Sequence, residues 1–212
     1  MTETTSLEFT EEMKGFVTLD ETDTQRGYDQ GRKDGTGLMF HLKIRTEDVD
    51  TFVAQPEHEA AATGYVDSDV FGGQRPVEQG VFNLFVGDRP DHRKMLYRLF
   101  FTDSVGHPLT LSGFKDVRDD PGFDVWRDTS TLFTTIYGGH VQPAGEAAAR
   151  VVAAGIITIH IPDFAKQLTT FRVSGPGVGA IPGGLEKFGR LFLGQLWAVY
   201  GRHLSAPADP TP

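Results

Sequence analysis

Several segments of this chain alternate with period two and still carry apolar residues on both faces. A sheet open to water cannot show two such faces, so the chain has to close its sheet on itself, with packed interior and helices outside, or bury it inside a sandwich. Lys94–Asp103 sets Met95, Tyr97, Leu99 and Phe101 against Leu96 and Phe100. Thr129–Tyr137 sets Leu132, Thr134 and Ile136 against Phe133, Thr135 and Tyr137. Gly37–Thr46 is the half-buried version, with Leu38, Phe40, Leu42 and Ile44 opposite Met39, His41, Lys43 and Arg45.

Further strands are predicted at Met13–Asp20, Ala60–Asp67, Val77–Gly87, Leu109–Arg118 and Arg150–Ile161, with a tight hairpin at Ser104–Pro108. Arg26–Thr36 reads as a Gly- and charge-rich loop and Glu47–Gln55 as a short helix before Pro56. Two helices are predicted late in the chain. Pro162–Val173 opens with Pro and Asp in its first turn and aligns Phe164, Leu168 and Phe171. Leu185–Tyr200 carries Leu185, Phe188, Phe192, Leu196 and Val199 on one stripe, and Leu193, Trp197 and Tyr200 on a second. The expected fold is mainly β: an antiparallel up-and-down barrel of about eight strands, calycin-like, with those two helices packed against it. Residues 1–204 form one domain in this reading and 205–212, rich in Pro and Ala, a disordered tail.

Composition narrows the function. With 20 Lys+Arg against 29 Asp+Glu, the 212-residue chain has a formal charge of −9, which disfavours nucleic acid as a partner. There are no cysteines, hence no disulfide, thiolate metal site or Cys nucleophile. No apolar run approaches the roughly 20 residues of a spanning helix, and Met1–Glu12 lacks an export-type apolar region; a cytoplasmic protein is expected. The seven histidines have no zinc-like spacing. Ser174–Gly184 (SGPGVGAIPGG) lacks the strand, Lys and acidic residue of a nucleotide loop and reads as a hinge. No metal, flavin or nicotinamide is expected.

The informative stretch is Leu111–Tyr137, where Lys115, Arg118, Arg127 and several aspartates surround Phe114, Phe123 and Trp126. Lys115 shares the apolar face of Leu109, Leu111 and Val117, and a Lys inside a barrel needs a carboxylate partner or a lowered pKa. The residues suit either a salt-bridged loop or the mouth of a site for a lipophile with one polar end. Asn83, between Val81 and Phe85, is a register-fixing residue or a ligand contact. The candidate catalytic residues are therefore Lys115, Asn83, Tyr97 and Tyr137, and the candidate ligand contacts are Phe85, Phe114, Trp126, Met95, Leu111 and Leu132.

Glu11–Val17, Gly80–Phe85, Gly113–Trp126, Gly155–Val173 and Phe188–Gly201 together resemble an accessory region of bacterial GMC-type (cholesterol-oxidase-like) flavoprotein and lipase-like polypeptides. The resemblance spans about Leu7 to Gly201 and implies a setting in sterol, lipid or polyketide-like metabolism; the chain itself lacks a flavin-binding fingerprint. At the level of fold the chain is also similar to calycin-like barrels and to the barrel cyclases of natural-product pathways. Two functions follow as expectations. One is a cofactor-free cyclase or isomerase acting on a lipophilic polyketide-like molecule. The other is a non-catalytic lipid- or sterol-binding accessory module working with an oxidoreductase; across the two readings the expected protein partner is a polyketide synthase or an oxidoreductase.

Overall fold

The computed structural model describes residues 4–89, 92–118, 129–159, 167, 170–175 and 182–191. Its strands are β1 (Ser6–Leu19), β2 (Gly37–Thr46), β3 (Glu59–Ser68), β4 (Gly73–Pro76), β5 (Gln79–Arg89), β6 (His92–Thr102), β7 (Pro108–Arg118), β8 (Thr131–Gly138), β9 (Val151–Thr158) and β10 (Arg172–Ser174). Hydrogen bonding runs β1-β2-β3-β5-β6-β7-β8-β9 and returns to β1, all antiparallel, which closes an eight-stranded barrel. β4 extends β3 and β10 extends the start of β1.

Alternation decides which side chains fill the interior. Leu7, Phe9, Met13 and Val17 of β1, Leu38 to Ile44 of β2 at every second position, Tyr97, Leu99 and Phe101 of β6 and Leu132 and Ile136 of β8 all belong to one buried core. At roughly 25 cal/mol per Å² of apolar surface removed from water, this core is the main source of stability. The register slips between Asn83 and Val86, a bulge that turns the consecutive residues Leu84 and Phe85 both inward.

Helix α1 (Thr24–Asp34) occupies the stretch read as a loop. Asp23 caps it by accepting from the Arg26 N–H at 2.8 Å, and Gly35 ends it in the left-handed region at φ 75°. Gly27 and Gly31 are buried because the helix lies directly on the outer wall: a Cβ at Gly27 would strike the Ala154 carbonyl, and one at Gly31 the Val17 carbonyl. Helix α2 (Val49–Ala54) buries Val49 and Phe52 at one barrel end, the upper end hereafter. A third helix, α3 (182–191), places Phe188 against Phe9, Phe52 and Phe171 over the same end. The lower end is filled by Phe71 against Phe101. Among the described residues no helix is long and apolar enough to cross a membrane.

Two further expectations need correction. The first strand starts at Ser6, not Met13, since β2 pairs with it from Leu7 onward. The helix expected over Pro162–Val173 does not reach its stated end: Arg172–Ser174 is a strand, because β1 offers Ser6–Glu8 as an unpaired edge there. Most of its remaining length, the 192–200 part of the last helix and the tail lie outside the described residues.

Candidate functional site

Among the described residues the barrel interior contains one ion pair. Lys115, on the inward face of β7, donates from Nζ to Glu11 Oε1 at 2.6 Å, and both side chains are 3% exposed. Glu11 comes from the inward face of β1, between Phe9 and Met13. Tyr97, from β6, donates its hydroxyl to the other carboxylate oxygen, Oε2, at 2.7 Å. The ammonium also lies 5.2 Å above the centre of the Tyr97 ring, a cation–π position. Tyr97 is wedged against Phe82 at 5.0 Å and Phe40 at 5.7 Å between ring centres. Burial pushes the phenol well above its usual range, and the adjacent Glu11 carboxylate pushes it further, so its hydroxyl stays protonated and serves as a donor.

Each member is placed by strand parity. Lys115 is opposite Met95 in the β6–β7 ladder and Tyr97 is opposite Gly113, so Lys115 and Tyr97 project into the barrel two residues apart along neighbouring strands. Met95, Leu111 and Leu132 are buried in the same interior, as is Phe85, which the bulge holds at φ 52°. For a side chain of that size, the left-handed region is strained, and such strain concentrates where a residue is held in position by its surroundings.

Three of the other candidates face outward. Asn83 alternates with inward Phe82 and Leu84; its Nδ2 donates to the Glu57 carbonyl at 3.1 Å and fastens β5 to the turn before β3. Phe114 stacks on Phe133 at 5.3 Å on the outer wall, with Lys94 4.7 Å above its ring. Tyr137 is half-buried, on the opposite parity to Leu132 and Ile136; desolvation, and then the Glu146 carboxylate, raise its phenol above the usual value. Phe114 and Tyr137 sit on strands whose two faces are both apolar, so alternation alone leaves the inward face undecided, and at Asn83 the bulge breaks the two-apart pattern, with Phe85 inward and Asn83 outward. Trp126 lies outside the described residues.

Glu11 was not a candidate from the sequence. Its signal was available: one acidic residue on the inward parity of a strand that continues Leu7, Phe9, Met13, matching one Lys on the inward parity of another. The carboxylate partner that Lys115 needs is Glu11, not an aspartate of its own stretch: Asp116 points outward and accepts from His92 at 2.6 Å.

A separate concavity of about 510 Å³ lies outside the barrel between α1 and the lower ends of β1, β2 and β3, with Phe16, Tyr28 and Met39 on its walls and Asp67 and Asp69 at its rim. It is solvent-open and shares no side chain with the Glu11–Lys115–Tyr97 group. Comparison with protein families, with curated proteins and with solved structures finds no match.

Proposed function

We propose that this barrel is a cofactor-free isomerase or cyclase acting on a lipophilic, polyketide-like unsaturated ketone. The observation that carries the reading is a carboxylate, an ammonium and a phenol joined by hydrogen bonds inside an otherwise apolar barrel. A buried ion pair is a poor device for stability, since well-packed apolar residues of similar volume often do as well or better. Paired acid and base groups in a water-excluded interior are what proton transfer at carbon needs.

In this reading the lipophile occupies the upper half of the barrel, above Lys115 and below Phe188. Glu11 removes a proton from the carbon beside the ketone. The electron pair moves onto the ketone oxygen, where the Lys115 N–H holds it as an enolate. The Glu11 carboxyl then returns the proton at the far end of the conjugated system, so that the double bond moves and no electron is gained or lost. In a cyclisation the enolate carbon instead attacks an electrophilic carbon of the same folded chain, and orientation by the walls supplies much of the acceleration.

The second reading is a non-catalytic lipid- or sterol-binding module that works with an oxidoreductase. It is favoured by the phenylalanine cover of the upper end, which offers apolar area and no acid or base.

One experiment separates the two. Wild type and Glu11→Gln are purified from the same host, checked by native mass spectrometry for a bound mass, and extracted. Catalysis predicts isomers of one mass, the substrate form in Glu11→Gln and the product form in wild type. The same molecule in both supports the carrier, and no bound lipophile in either protein overturns both readings.

A further inference from the structure

We infer that the ligand of this interior is electrically neutral and presents an oxygen acceptor, a ketone or aldehyde and not a carboxylate; the inference rests on the proposed interior site. Among the described residues the buried carboxylate and ammonium groups are Glu11 and Lys115, one of each sign and in contact, and the Tyr97 hydroxyl on the other oxygen of Glu11 is protonated. The interior is therefore balanced before any ligand enters.

Donors and acceptors are not balanced. A Lys ammonium has three N–H bonds and no lone pair. One N–H of Lys115 goes to Glu11 Oε1, the ammonium covers the Tyr97 ring, and no further acceptor meets it among the described residues. The single O–H of Tyr97 is taken by Glu11 Oε2. Of the other buried polar side chains, Thr134, inside the barrel, turns its hydroxyl to the Leu132 carbonyl, and His58, at the upper end, has its Nδ1 on the Leu84 carbonyl at 2.8 Å. What the interior still offers is an N–H donor, so an incoming group satisfies it best with an oxygen lone pair.

A ketone oxygen supplies that lone pair without adding charge. Proton transfer to Glu11 also leaves the sum unchanged, since the neutral carboxyl and the enolate replace the carboxylate and the ketone. A fatty-acid carboxylate accepts the same N–H, yet adds a negative charge for which the interior has no second cation. An uncompensated charge in such surroundings is costly enough to weaken binding by about a hundredfold.

The test uses a long-chain methyl ketone and the fatty acid that is its isostere, OH replacing the terminal CH3, titrated into ligand-free full-length protein by calorimetry. Wild type should bind the ketone about a hundredfold more tightly than the acid. Glu11→Gln, which leaves Lys115 without its counter-charge, should reverse the order, and the acid should raise its melting temperature more than the ketone does. Acid binding equal to or tighter than ketone binding in wild type overturns the inference and leaves the interior site standing. An unchanged ratio in folded Glu11→Gln overturns it too, because selectivity then does not come from charge balance. Binding of neither ligand to wild type overturns the inference together with the interior site beneath it. The wild-type ratio decides the matter alone if Glu11→Gln does not fold.

Discussion

Glu11 and Lys115 are 104 residues apart in the chain and hold each other inside the barrel, each with 3% of its side chain exposed. Removing one partner strands the other without compensation, while removing both charges leaves an uncharged interior in which Gln at position 11 can still accept from Tyr97. Lys115→Met should therefore destabilise by about 3–5 kcal/mol, and Glu11→Gln combined with Lys115→Met should recover most of that loss. Equilibrium urea unfolding measures both; equal stabilities for the single and double variants would mean that the pair is not coupled. The same residues show what was legible beforehand. Lys115 was readable as a buried cation in need of a carboxylate because its neighbours at i±2 and i−4, Gly113, Val117 and Leu111, are small or apolar. Glu11 was not, because an acidic residue breaks the apolar alternation of Leu7, Phe9 and Met13, and the strand was started after it. The feature that hid the strand's beginning is the feature that makes the site.

At the scale of elements, alternation carried the strands well and failed at α1. Gly37–Thr46 matches to the residue, and the strands expected from Ala60 onward differ from the observed ones by at most two residues at their ends, up to β9, whose expected last two positions lie outside the described residues. Thr24–Asp34 (TQRGYDQGRKD) has no apolar stripe, and its glycines each lower helix propensity by about 1 kcal/mol, so it reads as a loop. The glycines are the contact. With Gly27 above the Ala154 carbonyl and Gly31 above the Val17 carbonyl, the helix backbone rests on the sheet backbone, and the Thr18 hydroxyl donates to the Gly27 carbonyl at 2.8 Å. Propensity alone makes Gly27→Ala stabilising by up to about 1 kcal/mol in a solvent-facing helix. Here the added methyl meets a backbone oxygen that has no rotamer to yield, so the helix has to lift. Gly27→Ala should destabilise by about 1–3 kcal/mol, the range of overpacked cores, and more than Asp23→Ala, which removes a cap valued at about 1 kcal/mol. Thermal denaturation of the two variants side by side settles the order, and a stabilised Gly27→Ala would show that α1 stands off the wall.

For the whole molecule, the two ends of the barrel are closed by different means. Below, Phe71 meets Phe101 edge-on at 5.8 Å, and the hairpin ties down over it through the Ser104 N–H, which donates to the Phe71 carbonyl. Above, Phe9 stacks on Phe171 at 4.8 Å, and Phe188 of α3 lies across Phe9, Phe52 and Phe171. α3 is fastened there by the exposed ion pair Lys187–Asp50, which contributes little in water. Phe188 is 9% exposed and Phe71 4%, so truncating either removes comparable apolar burial, about 3 kcal/mol of stability at most sites of this kind. They differ in what lies behind them. Phe188 covers the end nearer Glu11, Lys115 and Tyr97, where the ligand is proposed to enter, whereas Phe71 closes the opposite end against Phe101. Phe188→Ala should therefore speed the entry and release of the long-chain ketone severalfold in stopped-flow mixing, while Phe71→Ala costs similar stability and leaves those rates as in wild type. Equal acceleration by both variants would mean that ligand exchange requires global loosening of the barrel, and acceleration by Phe71→Ala alone would move the entrance to the opposite end.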